Sequence, residues 1–207
     1  KDSMKNDYRI GHTKISIPPT VLFTAVAVID DVTRALSMDV KCPGHAVYLL
    51  GETKEELGGS EYLALRGQLG RNVPKVDTQS ARQLYTNLSN AIDQGFVASC
   101  HDCSDGGLGV ALAESAFAGG YGMDLDITRA GPSSKVVALF SESQSRFVVT
   151  VPPDKAQAFE AALHGCPITR LGYVIPEPVL RIQGHHGYRG QVSLSELKEA
   201  WQRPLRW

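Results

Sequence analysis

Apolar residues fall along the chain in short runs separated by polar stretches bearing glycine or proline, and the spacing inside each run predicts its element. VLFTAVAVI, within residues 20–29, is apolar at neighbouring positions, which predicts a central strand covered on both faces and ended by Asp30 and Asp31. HAVYLLG, residues 45–51, repeats the pattern, and a polar loop with Gly58-Gly59 follows it. Beyond Thr78, the stretch SARQLYTNLSNAIDQG carries Leu84, Leu88 and Ile92 at four-residue intervals and ends in Gly95, an amphipathic helix with Thr78 placed to begin it. Residues 96–99 predict a short strand. The chain then passes through CHDCSDGG into LGVALAESAFAGG, a helix with small and apolar residues all round, as a buried helix has. GMDLDI, KVVALF, RFVVTV, ITRLGYVI and VLRIQG predict further strands, Asp154 is placed to cap a helix running through Leu163, and residues 194–201 predict a closing helix.

Strands and helices therefore intermix, and the hairpin-like spacing near the C-terminus argues against a purely parallel order. The expected fold is an α/β domain of α+β character over residues 20–207, a mixed β-sheet covered by helices. Residues 1–19 are polar, contain Gly11 and end in Pro18-Pro19, which predicts an extended arm or linker. The polar start without an initiator methionine reads as the continuation of a longer polypeptide.

Composition narrows the partners. The chain has 207 residues, enough for its own core, and its 21 lysines and arginines nearly balance 22 aspartates and glutamates. No global positive field exists to gather nucleic acid or anionic lipid, so neither nucleic acid nor membrane is expected as a partner. No apolar run reaches the length of a membrane span and no secretory signal opens the chain, which reads as cytoplasmic. Cys42, Cys100, Cys103 and Cys166 are too few for a disulfide scaffold. Cys100-His101-Asp102-Cys103 spells C-x-x-C, but a structural zinc site wants a second such pair and only isolated cysteines remain. The pair reads as small core residues.

Candidate chemistry concentrates in residues 101–107, His-Asp-Cys-Ser-Asp-Gly-Gly, between a strand and a buried helix. Glycines allow close approach of a phosphate, a helix N-terminus carries partial positive charge, and a carboxylate can hold the magnesium that accompanies nucleotide phosphates. The same residues also make a tight turn with Asp102 or Ser104 as cap, and the pattern alone leaves both readings open. His185-His186 sits in a turn without a third ligand nearby and reads as solvated. Asp30-Asp31 reads as an acidic strand end, and Trp201 and Trp207 as covering a surface or meeting a neighbouring domain.

HDCSDGG followed by LGVALAESAFAGG resembles the last domain of the phosphoribosylformylglycinamidine synthase family. KDSMKND, ISIPPTVLFTAVAVIDDV, GGSEY and SESQSRFVV resemble further blocks of it, so the resemblance covers most of the chain and thins after about residue 175. It implies a fold like the C-terminal domain of aminoimidazole ribonucleotide synthetase. It also implies an ATP-dependent carbon–nitrogen ligase with glutamine as amido donor, converting formylglycinamide ribonucleotide to formylglycinamidine ribonucleotide in purine biosynthesis. ATP or ADP and Mg2+ are the implied cofactors. A preceding ATP-binding domain and a glutaminase domain or subunit are the implied partners. Selenophosphate synthetase, thiamine-phosphate kinase and aminoimidazole ribonucleotide synthetase are the related alternatives.

Residue by residue, the resemblance implies that Asp102 helps hold magnesium and that Ser104 contacts nucleotide. Gly106 and Gly107 supply the turn and helix N-terminus beside it, and His101 either bonds phosphate or orients Asp102. Lys1 and Ser3 match the end of the preceding ATP-binding domain, near nucleotide, and read as a loose tail without that domain. Glu142, Ser143, Gln144 and Arg146 match a loop that meets substrate or phosphate in the related half of the family, while an exposed Arg146 paired with Glu142 is the plainer account. No residue is implied as a protein nucleophile. The resemblance leaves two roles for the nucleotide site: one in the synthetase reaction, and a non-catalytic one in which bound nucleotide stabilises this half of the enzyme.

Overall fold

The computed structural model describes residues 2–4, 7–16 and 20–205. Internal contacts divide the chain into two units, one ending at Thr33 and the other beginning at Arg34.

In the first unit, strand β1 (Asp2–Met4) pairs antiparallel with β4 (Thr20–Leu22), and β2 (Asp7–Ile10) forms a hairpin with β3 (Thr13–Ser16). Asp7 holds that hairpin together, accepting from the Ser16 hydroxyl at 2.7 Å and pairing with Lys14 at 3.0 Å. The central strand expected over residues 20–29 is not formed. Pairing stops at Leu22, and Val26 and Val28 are 89% and 92% exposed. An apolar run states a need for cover on both faces, and the described strands of the first unit do not supply it. Asp31 accepts from the Thr33 backbone N–H and hydroxyl, so it serves a local turn.

The second unit is built on strands β5 (Ala46–Leu50), β6 (Ser99–Asp102), β7 (Gly122–Asp126), β8 (Phe147–Val151), β9 (Ile168–Ile175), β10 (Val179–Gln183) and β11 (Arg189–Ser193). Its helices are α1 (Glu61–Ala64), α2 (Thr78–Asp93), α3 (Gly107–Gly119), α4 (Lys135–Phe140), α5 (Ala156–Ala162) and α6 (Leu194–Gln202). The sheet order is β11-β10-β7-β9-β5-β8-β6, with β7 and β10 parallel and the other neighbours antiparallel. This is the mixed α/β sheet that the patterning predicts.

Alternation along β5 assigns the two cores. Val47 and Leu49 face a layer containing Leu108, Ala111, Leu112 and Ala116 of α3, Leu139 of α4 and Leu194 of α6. Ala46, Tyr48 and Leu50 face the other layer, with Leu84, Leu88 and Ala91 of α2 and Phe159 of α5. Every residue of β5 is buried, and each large apolar side chain so covered contributes about 1.5–3 kcal/mol. Helix α2 begins one residue earlier than a Thr78 cap would place it, because Asp77 is the cap and accepts from the Gln79 and Ser80 backbone N–H groups.

Three further expectations are corrected. KVVALF is helix α4, whose N-terminus Ser134 caps by accepting from Val137, and whose Val137, Ala138 and Leu139 are buried. Its β-branched composition is overridden by tertiary burial. Asp154 lies in a short 3-10 turn before α5 and makes no cap bond to that helix. The strand expected at 96–99 is displaced to 99–102, because pairing of Ser99 with Thr150 and of Asp102 with Phe147 sets the register. Among the described residues no helix is long and apolar enough to cross a membrane.

Candidate functional site

Strand β6 is the edge strand at one side of the sheet and Asp102 is its last residue, so the chain leaves the sheet there and turns into α3. Alternation on β6 turns His101 inward, with its side chain 16% exposed, and Asp102 outward, with its side chain 61% exposed. The Ser104 hydroxyl donates to Asp102 Oδ2, and this bond above all holds the Asp102 carboxyl below the usual carboxylate range despite some desolvation. Asp102 is therefore an exposed carboxylate, ionised at neutral pH, at the mouth of the loop. Cys100 and Cys103 differ: burial pushes their thiols up to about 12 and about 11, which makes them poor nucleophiles and poor metal ligands.

The two glycines are held by their surroundings. Gly106 and Gly107 have φ of 78° and 64°, and a Cβ on Gly107 would stand 2.3 Å from the Ser141 carbonyl oxygen. Gly107 donates its N–H to the Ser104 carbonyl at 3.0 Å. Gly106 donates to Glu142 Oε1 at 2.8 Å, and the same oxygen accepts from the Glu61 N–H at 3.0 Å. One carboxylate from a distant loop thus closes the N-termini of α3 and α1, where helix polarity favours negative charge. The backbone donors of the Gly-Gly turn are committed inside the protein, and Asp102 and Ser104 are the polar side chains that the loop turns outward along with Asp105. Replacing Glu142 with alanine is expected to cost about 1–3 kcal/mol by orphaning two N–H groups. The urea unfolding midpoint checks this, and an unchanged midpoint would show that water replaces the carboxylate without loss.

The segment 141–146 is stitched to residues 53–56. Ser141 Oγ donates to the Lys54 carbonyl at 2.6 Å, and Ser143 Oγ accepts from the Lys54 N–H at 3.0 Å. The exposed Arg146 paired with Glu142 is corrected: Arg146 is 1% exposed, and its guanidinium donates to the Ser143 carbonyl and the Thr53 hydroxyl, both at 2.9 Å, and to the Ser141 carbonyl. Three of the five guanidinium N–H groups are thus engaged by Thr53, Ser141 and Ser143. Ser143 is buried with Arg146, Gln144 is exposed, and Glu142 serves the helix ends as described.

Of the other residues singled out, Lys1 and Trp207 lie outside the described residues. Ser3 lies in β1, paired opposite Val21 of β4 within the first unit, and not in the loose tail expected of it. His185 and His186 occupy a short 3-10 turn. No group of three potential metal-binding side chains forms among the described residues.

Sequence reasoning missed two features. Glu56 is buried, with Oε1 accepting from the Lys75 N–H at 3.2 Å and Oε2 without a partner, beside a narrow cleft of about 80 Å³ that also meets Lys54, Asp77 and Ser143. The other is the network behind Asp102: His101 Nε2 lies 2.8 Å from Glu114 Oε2, and Trp201 Nε1 donates to Glu114 Oε1 at 3.0 Å. Glu114 is the lone ionisable group in LGVALAESAFAGG, and that was the available signal.

The donor set fits magnesium of one kind. Mg2+ takes one or two carboxylates and completes its shell with phosphate oxygens and water, and one exposed, ionised Asp102 beside a hydroxyl suits that role. A closed structural metal site needs more ligands than the loop presents.

Residues 42–185 match the family described as AIR synthase related protein, C-terminal domain. The chain belongs to this family. The AIR synthase related C-terminal domain here is 40% identical over 189 residues to a phosphoribosylformylglycinamidine synthase subunit PurL of a Nocardioides species, covering 90% of this chain and 24% of that protein. It is 36% identical over 195 residues to the subunit of the same name from Alkaliphilus metalliredigens, covering 93% of this chain and 26% of that protein. The chain thus spans about a quarter of the length of these curated relatives. Among solved structures, T. maritima PurL complexed with FGAR aligns with a TM-score of 0.68 at 22% identity, over 80% of this chain and 30% of that one. T. maritima PurL complexed with ATP aligns with a TM-score of 0.63 at 21% identity, over 80% and 27%. These structures share the fold of the AIR synthase related C-terminal domain.

Proposed function

We propose that this chain is the C-terminal α/β domain, residues 20–207, of a phosphoribosylformylglycinamidine synthase, with residues 1–19 an arm from a preceding ATP-binding domain. On this reading the complete enzyme acts in the cytoplasm as an ATP-dependent carbon–nitrogen ligase. The amide oxygen of formylglycinamide ribonucleotide takes the γ-phosphoryl group of ATP, releasing ADP. Ammonia, freed from glutamine by a glutaminase domain or subunit, then adds at the activated carbon, and phosphate leaves. Positioning and charge stabilisation account for such a transfer without a protein nucleophile.

The contribution of this domain is to hold a nucleotide and its magnesium at the loop ending β6. Asp102 supplies the carboxylate and Ser104 the hydroxyl, and magnesium, when bound, would neutralise phosphate charge there. The observation that carries this is the outward, ionised Asp102 beside Ser104 at an edge-strand exit. The high thiol values of Cys100 and Cys103 favour a binding role over covalent chemistry. The strongly exposed Phe23, Val26 and Val28 support a neighbouring domain over the first unit. Lys1 and Ser3 belong to that junction.

In the synthase carrying this sequence, Asp102→Asn is expected to weaken binding of Mg2+·ADP about 30-fold, corresponding to ~2 kcal/mol for a charged contact. It should also shrink the rise in melting temperature that a given ADP concentration produces. Persistence of kcat in folded Asp102→Asn enzyme assigns the nucleotide a stabilising role, and selective loss of kcat assigns it to the reaction. Unchanged Mg2+·ADP affinity would refute the site.

A further inference from the structure

We propose that Glu114 is a positioning residue for the nucleotide–magnesium site, acting on Asp102 through the ring of His101; this rests on the reading of Asp102 as the magnesium ligand. The network runs from helix α6 to the loop. Trp201 on α6 donates its indole N–H to Glu114 Oε1, Glu114 on α3 accepts at Oε2 from His101 Nε2, and His101 Nδ1 stands 3.5 Å from Asp102 Oδ1.

Each link has a physical reason. Glu114 stands in a helix otherwise made of glycine, aliphatic, aromatic and serine residues, with its side chain 22% exposed, and a carboxylate so placed is costly unless its oxygens are bonded. Both of its oxygens are. A carboxylate that accepts one ring N–H of a histidine fixes the plane and tautomer of the imidazole, the same device that orients histidines around metal sites. Here it turns Nδ1 towards Asp102.

At 3.5 Å from Asp102 Oδ1 the ring edge limits the movement of one carboxylate oxygen, while the Ser104 hydroxyl bonds the other. Asp102 is thereby held from both sides with its open face outward. Docking of α6 alone needs no charged network, because Leu194 is buried in the core and the Phe117 and Trp201 rings meet at 5.7 Å.

The test uses the synthase carrying this sequence, with Mn2+·ADP as the probe and water-proton relaxation as the readout. Asp102→Asn runs alongside, and unchanged affinity there refutes the underlying site and the proposal with it. With that control positive, Glu114→Leu is expected to weaken Mn2+·ADP about tenfold or more. Glu114→Gln keeps an oxygen for the His101 Nε2–H and should recover most of the loss. A Glu114→Leu protein that melts lower yet binds within about twofold of the parent would overturn the proposal, leaving Glu114 a docking residue only. An independent measurement covers failure of the leucine variant to fold: ¹⁵N–¹H correlations of the His101 ring in the unsubstituted protein should show a protonated, hydrogen-bonded Nε2. A ring averaging between tautomers contradicts the positioning role.

Discussion

Replacing Gly107 with alanine is expected to destabilise the second unit by about 3 kcal/mol or more, from left-handed strain of ~1–2 kcal/mol and overpacking of ~1–3 kcal/mol. The backbone there has φ of 64°, and the added Cβ would stand 2.3 Å from the Ser141 carbonyl oxygen and 3.0 Å from that of Leu139. Both obstacles are main chain, and neither can rotate away. Relief requires α3 to withdraw from the end of α4, which would also pull Gly106 off Glu142. Gly120 supplies the control: its φ is 76°, but nothing lies within 4 Å of its Cβ position. Gly120→Ala should therefore cost only the strain, about 1 kcal/mol. Urea denaturation of both variants checks the contrast. Equal losses would mean that close packing at Gly107 is not what demands glycine.

Arg146→Leu is expected to cost about 3–5 kcal/mol, as loss of one partner from a buried charged network does. The substitution removes three donors from buried acceptors on Thr53, Ser141 and Ser143, and leucine offers none in return. It also removes the buried cation that interacts with the Glu56 and Glu142 carboxylates. Arg146→Lys should retain part of the loss, because an ammonium cannot span three acceptors set around a planar fork. Hydrogen exchange gives a local reading alongside the unfolding midpoint. If the 141–146 loop holds Glu142 on the helix ends, the Gly106 and Glu61 amides should exchange faster in Arg146→Leu. A loss below about 1 kcal/mol with unchanged exchange would assign Arg146 no structural role.

Both effects reach the candidate site through the same residue. Glu142 is drawn to the N-termini of α3 and α1, and the loop bearing it is clamped by Arg146. The candidate nucleotide loop is thus rigid at its glycines and open at Asp102 and Ser104. A ligand there meets side chains first, and the helix end behind them is already neutralised.

Much of this was legible in the residues. HAVYLLG, apolar at adjacent positions, became the fully buried β5, and the four-residue spacing of Leu84 and Leu88 became the buried stripe of α2. These periodicities arise from local backbone geometry and burial on known faces, so a linear reading captures them. The loop at residues 101–107 was legible as a strand-to-helix turn for the same reason. Less local facts were not. VLFTAVAVI has the pattern of a buried strand and is exposed, because pattern reports a requirement for cover and not its presence. KVVALF has strand composition and is a helix, because its apolar side of Val137, Ala138 and Leu139 packs beneath a serine cap.

The sequence by itself determined the class of fold, the central elements and the position of the polar loop, since each depends on residues adjacent in the chain or one turn apart. Only the tertiary structure decided which groups in that loop are spent and which are open. Glu142 reaches Gly106 across 36 positions and Trp201 reaches Glu114 across 87, and Arg146 is buried by segments nearly a hundred residues away. Hydrogen-bond partners at such separations are selected by packing of the whole unit, and no periodicity in the chain encodes them.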